Sequence, residues 1–192
     1  MRLGLTTTAA VFILAATAQQ AMAAAAPAPL AVPAPRYTTL VLEVDVGRPA
    51  AQVWARIGKF CDIAEWLRVT CAITEGTDGQ VGAVRVLNGT TIEPLVGRTE
   101  LSHTYTQPVR VGAPYNLYHG TLEARPVTAA TSKIVYTFFY DVSMLADDAA
   151  RATERANRTA RFGQAMQNMK ILAEGGTLPP APPPAAPAAP AR

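Results

Sequence analysis

The fold is decided by residues 133–176, which read KIVYTFFYDVSMLADDAARATERANRTARFGQAMQNMKILAEGG. Residues 133–142 are rich in aromatic and β-branched side chains and predict a β-strand. Residues 146–174 change to a helical period. Asp147 lies near the start, where the helix dipole favours an acid, and Gly175 lies just past the end as a C-cap. Residues 133–176 are therefore predicted to form a strand followed by one long helix.

Small residues and arginines occupy different faces of this predicted helix. The arginines indicate a solvated face. The small residues would let the helix approach a curved sheet closely, or would leave space beneath it. The first face consists of Ala152, Ala156, Ala160, Gly163, Met166 and Met169, and the second of Arg151, Arg155, Arg158 and Arg161.

Strand patterns precede this helix along most of the chain. Residues 38–46 alternate between two faces and predict a half-buried strand. Pro49 suits the first turn of a helix, and residues 50–58 and 60–66 predict two short helices. Further strands are predicted at residues 69–75, 82–87, 91–101, 102–107 and 115–125.

This order of elements predicts an α+β fold. A curved antiparallel sheet would wrap around the long C-terminal helix, and the two short helices would follow the first strand. Residues 37–176 are the size of one ordinary domain.

The chain begins with a segment typical of exported proteins. Residues 1–23 place Arg2 before an apolar run and end in Ala-Met-Ala, which is a signal-peptidase pattern. The alternative is an uncleaved membrane anchor. The sequence therefore predicts a periplasmic or secreted protein without stable membrane insertion once the signal peptide is cleaved.

Two segments of low complexity flank the predicted domain. Residues 24–36 are predicted to form an Ala/Pro linker. Residues 177–192 are predicted to form a disordered Pro/Ala-rich tail that favours polyproline II and cannot form a core. Removing Arg2 with the signal peptide lowers the formal charge from +3 to +2. So small an excess predicts no nucleic-acid partner.

Cys61 and Cys71 are the only cysteines, in the stretch FCDIAEWLRVTC. In an oxidising compartment they predict a structural disulfide. A metal site would need further Cys or His ligands at close spacing, and His103 and His119 lie in strand-like segments. We therefore predict no metal. A catalytic Cys–His pair stays open, but it has no local signature.

Four stretches carry a family resemblance: VDVGRPAAQVWARIGKF, VGAVRVLNG with IEPL after it, YNLYHGTL, and YDVS before the long helix. In their order and spacing they resemble the helix-grip superfamily. It includes START lipid-transfer domains, polyketide cyclase-like proteins, the birch-pollen allergen type and the plant abscisic-acid receptors. The resemblance implies an internal ligand cavity.

Three residues match cavity positions of the abscisic-acid receptors. Arg85, Glu93 and Tyr118 fall on an arginine, an acid and a tyrosine of that pattern. The gating loop is reduced here to residues 88–90, and the latch motif is replaced at residues 111–114. The resemblance therefore implies a cavity protein of this build and not a hormone receptor.

Strand alternation gives an independent estimate of the cavity lining. The face that carries Tyr118 and Leu122 is predicted to be inward, because the opposite face carries polar and charged side chains. The resemblance favours the face with Tyr136 and Phe138 on the next strand. The complete predicted lining is Arg85, Leu87, Glu93, Leu95, Tyr105, Tyr118, Gly120, Leu122, Tyr136, Phe138, Gly163 and Met166.

The orientation of Arg85 and Glu93 depends on the turn between them. A two-residue turn at Asn88-Gly89 would pair Arg85 with Ile92 and put Glu93 on the other face. A three-residue loop pairs Arg85 with Glu93, which we prefer because opposite charges then lie cross-strand. The alternative is an ion pair on the outer surface. An inward pair would orient a ligand or shift a carboxyl pKa for acid–base chemistry.

Trp66 has two interpretations. It either fills the core beneath the short helices or forms a lid over the cavity mouth. In the second case the disulfide would hold the lid in place.

These features favour a non-catalytic carrier of a hydrophobic small molecule, such as a lipid, an isoprenoid or a polyketide. We predict no catalytic residue and no cofactor for it. The alternative is a cyclase or dehydratase-like enzyme that uses Glu93, Tyr118 or Arg85 for proton transfer or enol stabilisation. A third possibility is an interaction module whose cavity has shrunk. The sequence leaves the ligand and the oligomeric state open.

Overall fold

The computed structural model describes residue 32 and residues 34–109 and 115–180. The predicted signal peptide, most of the linker, the replaced latch motif and residues 181–192 lie outside the described residues. The predictions about export and about the end of the tail therefore stay predictions.

Seven strands form one antiparallel sheet in the order β1-β7-β6-β5-β4-β3-β2. The last helix packs against β1, β7 and both short helices. The predicted α+β helix-grip fold is confirmed. The elements are β1 Tyr37–Val46, α1 Ala50–Ile57, α2 Ile63–Trp66, β2 Cys71–Glu75, β3 Val84–Leu87, β4 Thr91–Arg98, β5 Ser102–Gln107, β6 Asn116–Pro126, β7 Ser132–Asp141 and α3 Asp148–Ala173.

Both ends of α3 follow from local chemistry. The Asp147 side chain accepts a hydrogen bond of 2.7 Å from the backbone N–H of Ala150, which satisfies a donor at the start of the helix. Gly175 adopts a left-handed conformation (φ 88°) just after the last turn, as expected of a C-capping glycine. None of the helices in the described part of the chain is long and apolar enough to cross a membrane.

The β3–β4 hairpin has the three-residue loop that we preferred. Leu87 pairs with Thr91 and Arg85 pairs with Glu93, while Gly89 takes a left-handed conformation (φ 70°). Arg85 and Glu93 are both buried, so the surface ion pair is excluded.

The predicted faces of α3 are wrong in part. Ala152, Ala156 and Ala160 are exposed, whereas Arg158, which was expected on a solvated face, keeps only 8% of its side chain exposed. The physical reason is the apolar area that a side chain can remove from water, because large side chains gain more free energy from burial than alanines do. The buried apolar residues of the helix are Phe162, Ala165, Met166, Met169 and Leu172.

The tail departs from its prediction over its first residues. Leu178 packs against the core, and the carbonyl oxygen of Pro179 accepts a hydrogen bond from the guanidinium of Arg68. The chain therefore stays on the domain beyond Gly176.

The predicted disulfide is present between Cys61 and Cys71, and the chain has no free cysteine. It ties the turn before α2 to the first residue of β2, and the loop that it closes contains Ile63, Leu67 and Val69, which line the pocket described below.

Replacing both cysteines by serine is expected to lower the free energy of unfolding by roughly 2.5–3 kcal/mol, because the closed loop restricts the unfolded chain. Urea denaturation of the double variant Cys61→Ser/Cys71→Ser measures the change. Wild-type protein in reductant should show the same loss. A denatured, non-reduced wild-type protein that reacts fully with a maleimide would contradict the disulfide.

Candidate functional site

A pocket of about 380 Å³ opens between the first half of α3 and the β3–β4 hairpin. This volume lies in the range of roughly 300–1,000 Å³ that is usual for small-molecule sites. The short helix α2, the segment after it, β5 and the start of β6 complete the walls.

The pocket has one apolar wall and one polar wall. The apolar wall is formed by aliphatic side chains near α2 and the hairpin and by one phenylalanine of α3: Ile63, Leu67, Val69, Leu87 and Phe162. The polar part is formed by side chains of the hairpin, β5, β6 and α3: Asn88, Thr91, Glu93, Tyr105, Gln107, Tyr115, Tyr118, Glu154, Asn157, Arg158 and Arg161.

The Arg85–Glu93 ion pair lies at the floor of the pocket. Nη2 and Nε of Arg85 lie 2.7 and 2.8 Å from Oε2 of Glu93, and the Gln107 amide donates a 2.7 Å hydrogen bond to Oε1. The guanidinium lies between the rings of Phe60 and Tyr105, at 4.1 and 4.6 Å from their centres. Glu93 lines the pocket, whereas Arg85 lies behind it and holds the carboxylate in place.

Arg85 also contacts the backbone of the segment that precedes α2. Its Nη1 donates a hydrogen bond to the carbonyl oxygen of Phe60, the residue before Cys61. The buried guanidinium of Arg85 therefore connects the β3–β4 hairpin to the residue directly before the loop that the disulfide closes.

Three tyrosine hydroxyls meet beneath the pocket. The hydroxyl of Tyr105 lies 2.7 Å from that of Tyr136 and 3.5 Å from that of Tyr118. Burial raises the pKa of Tyr105 and of Tyr118 well above the ordinary value, and raises the pKa of Tyr136 to about 12. All three hydroxyls therefore keep their protons at neutral pH, and those of Tyr105 and Tyr118, which line the pocket, can donate hydrogen bonds to a ligand.

Arg158 lies in an aromatic cage on the α3 side of the pocket. Its guanidinium carbon is 4.4, 4.5 and 5.1 Å from the ring centres of Tyr140, Tyr115 and Tyr118. Its Nη2 contacts Oε1 of Glu154 at 2.7 Å. Cation–π contacts and the ion pair compensate for the removal of this charge from water.

Four of the predicted lining residues border the pocket: Leu87, Glu93, Tyr105 and Tyr118. The other positions do not, and most of them are buried in the interior beneath it. Those buried positions are Arg85, Leu95, Gly120, Leu122, Tyr136, Phe138 and Met166.

Gly120 does not border the empty space that we expected, and Gly163 does not line the pocket. A Cβ added to Gly120 would lie 2.7 Å from Cε1 of Tyr105, so this glycine packs against a ring and borders no space. Gly163 is half-buried, and a Cβ there would meet nothing within 4 Å. A tryptophan at Gly120 would therefore disrupt the core rather than fill a cavity.

The space beneath α3 is smaller than the sequence suggested, because aromatic rings fill it. The ring centres of Phe162 and Phe138 are 4.3 Å apart, and those of Phe162 and Tyr136 are 5.4 Å apart. The pocket between α3 and the hairpin therefore extends along the helix only as far as Phe162.

Sequence reasoning missed the α3 wall of the pocket. Glu154, Asn157, Arg158 and Arg161 all line it. The available signal was the acid–base pair at positions 154 and 158, followed by Phe162 one turn later, because residues four apart share a helix face.

Trp66 belongs to the core. It is buried, its ring meets that of Tyr136 edge-on at 6.0 Å, and its carbonyl oxygen accepts a 2.9 Å hydrogen bond from the Asn168 amide. It does not line the pocket between α3 and the hairpin, so the core interpretation holds and the lid interpretation does not.

The fold and the pocket together define a helix-grip protein with a site of small-molecule size. A sequence model of the family described as polyketide cyclase/dehydrase and lipid transport matches residues 37–174. The chain therefore belongs to that family, whose members handle hydrophobic molecules. No curated protein matches the sequence.

Solved structures share the fold. A solution NMR structure from Thermobifida fusca is 25% identical, with a TM-score of 0.61 over 72% of this chain and 95% of that one. The Zhui aromatase/cyclase from Streptomyces sp. R1128 is 18% identical, with a TM-score of 0.57 over 74% and 100%. Truncated norcoclaurine synthase from Thalictrum flavum is 13% identical, with a TM-score of 0.56 over 74% and 97%. At these identities the two enzymes show the fold alone.

Proposed function

We propose that this protein is an exported carrier that holds a hydrophobic small molecule in the pocket between α3 and the β3–β4 hairpin. The observation that carries the proposal is one cavity of about 380 Å³ that combines aliphatic and aromatic side chains with polar groups held in place by ion pairs and hydrogen bonds. Apolar surfaces with oriented polar groups are the usual elements of a ligand site. Of the lining residues predicted from the sequence, Leu87, Glu93, Tyr105 and Tyr118 are the proposed ligand contacts. The predicted residues that are buried beneath the pocket would hold these contacts in position.

The state of the polar groups favours binding over catalysis. Both carboxylate oxygens of Glu93 already accept hydrogen bonds, from Arg85 and Gln107. Burial raises the pKa of Tyr118, so its hydroxyl stays protonated at neutral pH and is not available as a general base.

Export is supported by two independent features. Residues 1–23 have the pattern of a signal peptide, and a disulfide of the Cys61–Cys71 kind persists in oxidising compartments.

The binding proposal predicts that the purified protein takes up N-phenyl-1-naphthylamine, an uncharged apolar dye whose fluorescence rises in apolar surroundings. Asn157→Trp places an indole in the pocket from an exposed position of α3. We expect this variant to lose about tenfold or more in dye affinity, which is about 1.4 kcal/mol. Fluorescence titration measures the change.

Ala156→Trp is the matched control, because Ala156 is the exposed neighbour and does not line the pocket. Its dye affinity should equal that of the wild type. Equal dye affinities for the Asn157 and Ala156 variants would overturn the pocket assignment.

The enzyme alternative retains one supporting observation: Glu93 and Tyr118 both reach the floor of the pocket. Native mass spectrometry of protein from the periplasm separates the two functions. A carrier would release its ligand unchanged after incubation. A dehydratase, or a cyclase that eliminates water, would release a product lighter by water, and a cyclase without elimination would release an isomer that chromatography separates from the ligand.

A further inference from the structure

The charges around the pocket do not balance, and the imbalance points to the chemistry of the ligand. Two carboxylates and two guanidinium groups line the pocket. Glu93 is paired with Arg85 behind the wall, and Glu154 is paired with Arg158 within it. Arg161 takes part in no salt bridge within the described part of the chain.

Arg161 is therefore a cation at the pocket without a carboxylate of its own. It lies on the same side of α3 as the caged Arg158, one turn further along the helix. Nε and Nη2 of Arg158 both contact Oε1 of Glu154, at 2.8 and 2.7 Å, which leaves Nη1 outside that ion pair. Two guanidinium groups can thus offer N–H donors on one wall.

Apolar side chains from outside α3 also line the pocket. Leu67 and Val69 come from the segment after α2, and Leu87 comes from the β3–β4 hairpin. A ligand that satisfies both parts must combine an apolar body with one anionic group, since a carboxylate or phosphate forms strong charge-assisted hydrogen bonds with a guanidinium.

We propose that the ligand is an amphipathic acid, whose carboxylate or phosphate binds Arg161 beside Arg158 and whose apolar part lies against Leu67, Val69 and Leu87. This inference rests on the proposed function, because it names the ligand class of the same pocket. Arg161 sets the preference for an acid, and the apolar wall supplies binding that does not depend on charge.

Three probes with one tail test the proposal: dodecanoate, dodecyl phosphate and dodecanol, each displacing N-phenyl-1-naphthylamine below its micelle concentration. At least one of the two acids should bind about tenfold more tightly than the alcohol, as one charge-assisted contact predicts. Raising the salt concentration should reduce this preference. The order of the two acids assigns the anionic group as a carboxylate or a phosphate, and either order supports the proposal.

Arg161→Gln is the decisive variant, because Arg161 is exposed and its loss leaves the buried cage intact. It should lose most of the preference for the acid and keep its affinity for dodecanol. Arg155→Gln is the control: it removes an exposed arginine of α3 that contacts Thr38 and Thr39 away from the pocket, and it should keep the preference.

The outcomes separate the two proposals. Equal binding of acid and alcohol by the wild type overturns the anionic ligand, and a full acid preference in Arg161→Gln overturns the contact with Arg161. Either result leaves the carrier function standing. Absence of binding by the dye and by all three probes overturns the carrier function itself.

Discussion

Replacing Arg85 by methionine is expected to lower the free energy of unfolding by about 3–5 kcal/mol, which is the usual cost of leaving one partner of a buried ion pair uncompensated. The Glu93 carboxylate would lose its nearest cation while it stays buried at the pocket floor. The hydrogen bond to the carbonyl oxygen of Phe60 and the contact with its ring would go as well. Urea denaturation at neutral pH gives the difference.

The double variant Arg85→Met/Glu93→Leu is the matched control. Removing both charges takes away the unpaired carboxylate, and buried ion pairs replaced by apolar residues are often close to neutral in stability. We therefore expect the double variant to regain most of the loss. A loss of less than about 1 kcal/mol in Arg85→Met, the value of an exposed ion pair, would contradict the buried arrangement.

His103 is expected to make the protein sensitive to acid. It is buried, with its ring 5.3 Å from that of Trp54 and 5.5 Å from that of Phe60. Burial lowers its pKa to about 3, and the positive charges of Arg85 and Arg98 act in the same direction, while a hydrogen bond at the Gly58 backbone opposes them.

The unfolded chain binds a proton at His103 below about pH 6.5, and the folded protein does not until about pH 3. Stability from this group is therefore fully present above pH 6.5 and falls as the pH drops. The loss amounts to about 2 kcal/mol between pH 7 and 5 and about 3 kcal/mol between pH 7 and 4.

His103→Gln removes the titrating group and should remove this part of the pH dependence. Urea denaturation of both proteins at pH 7, 5 and 4 provides the test, with the difference between the two proteins as the readout. The variant should be the less stable protein at pH 7 or equal to wild type, and should gain relative to wild type as the pH falls. A difference that stays constant across this range would show that His103 titrates normally in the fold.

Much of the fold could be predicted from the sequence, because it is set by local patterns. The alternation in β6 identifies the buried face that carries Tyr118, and the family resemblance selects the face of β7 that carries Tyr136. The left-handed Gly89 fixes the hairpin register and thereby brings Arg85 and Glu93 together. Each of these features depends on a few adjacent residues.

The rotation of α3 could not be predicted in the same way. A stripe of alanines and a stripe of arginines both satisfy a helical period, and the pattern does not tell which one meets the sheet. Phe162, Met166 and Met169 decide the packing because they bury the most apolar area. That rotation also turns Arg158 into the aromatic cage.

The extent of the cavity also depends on more than the inward face. The family resemblance favours an inward orientation of Tyr136 and Phe138, but it does not give how far their rings reach. In the structure they meet Phe162 and fill the space beneath the middle of α3. The pocket is therefore shorter and more polar than an apolar cavity beneath the whole of α3 would be. It lies beside the first half of that helix.

The central claim is that a small molecule binds between α3 and the β3–β4 hairpin. Amide NMR spectra of the protein, titrated with N-phenyl-1-naphthylamine, test it most directly. We predict that the largest chemical-shift changes occur on both sides of the pocket, at Leu87, Tyr118 and Phe162. Changes centred on another surface, such as the groove beside Trp54 and His103, would contradict the claim.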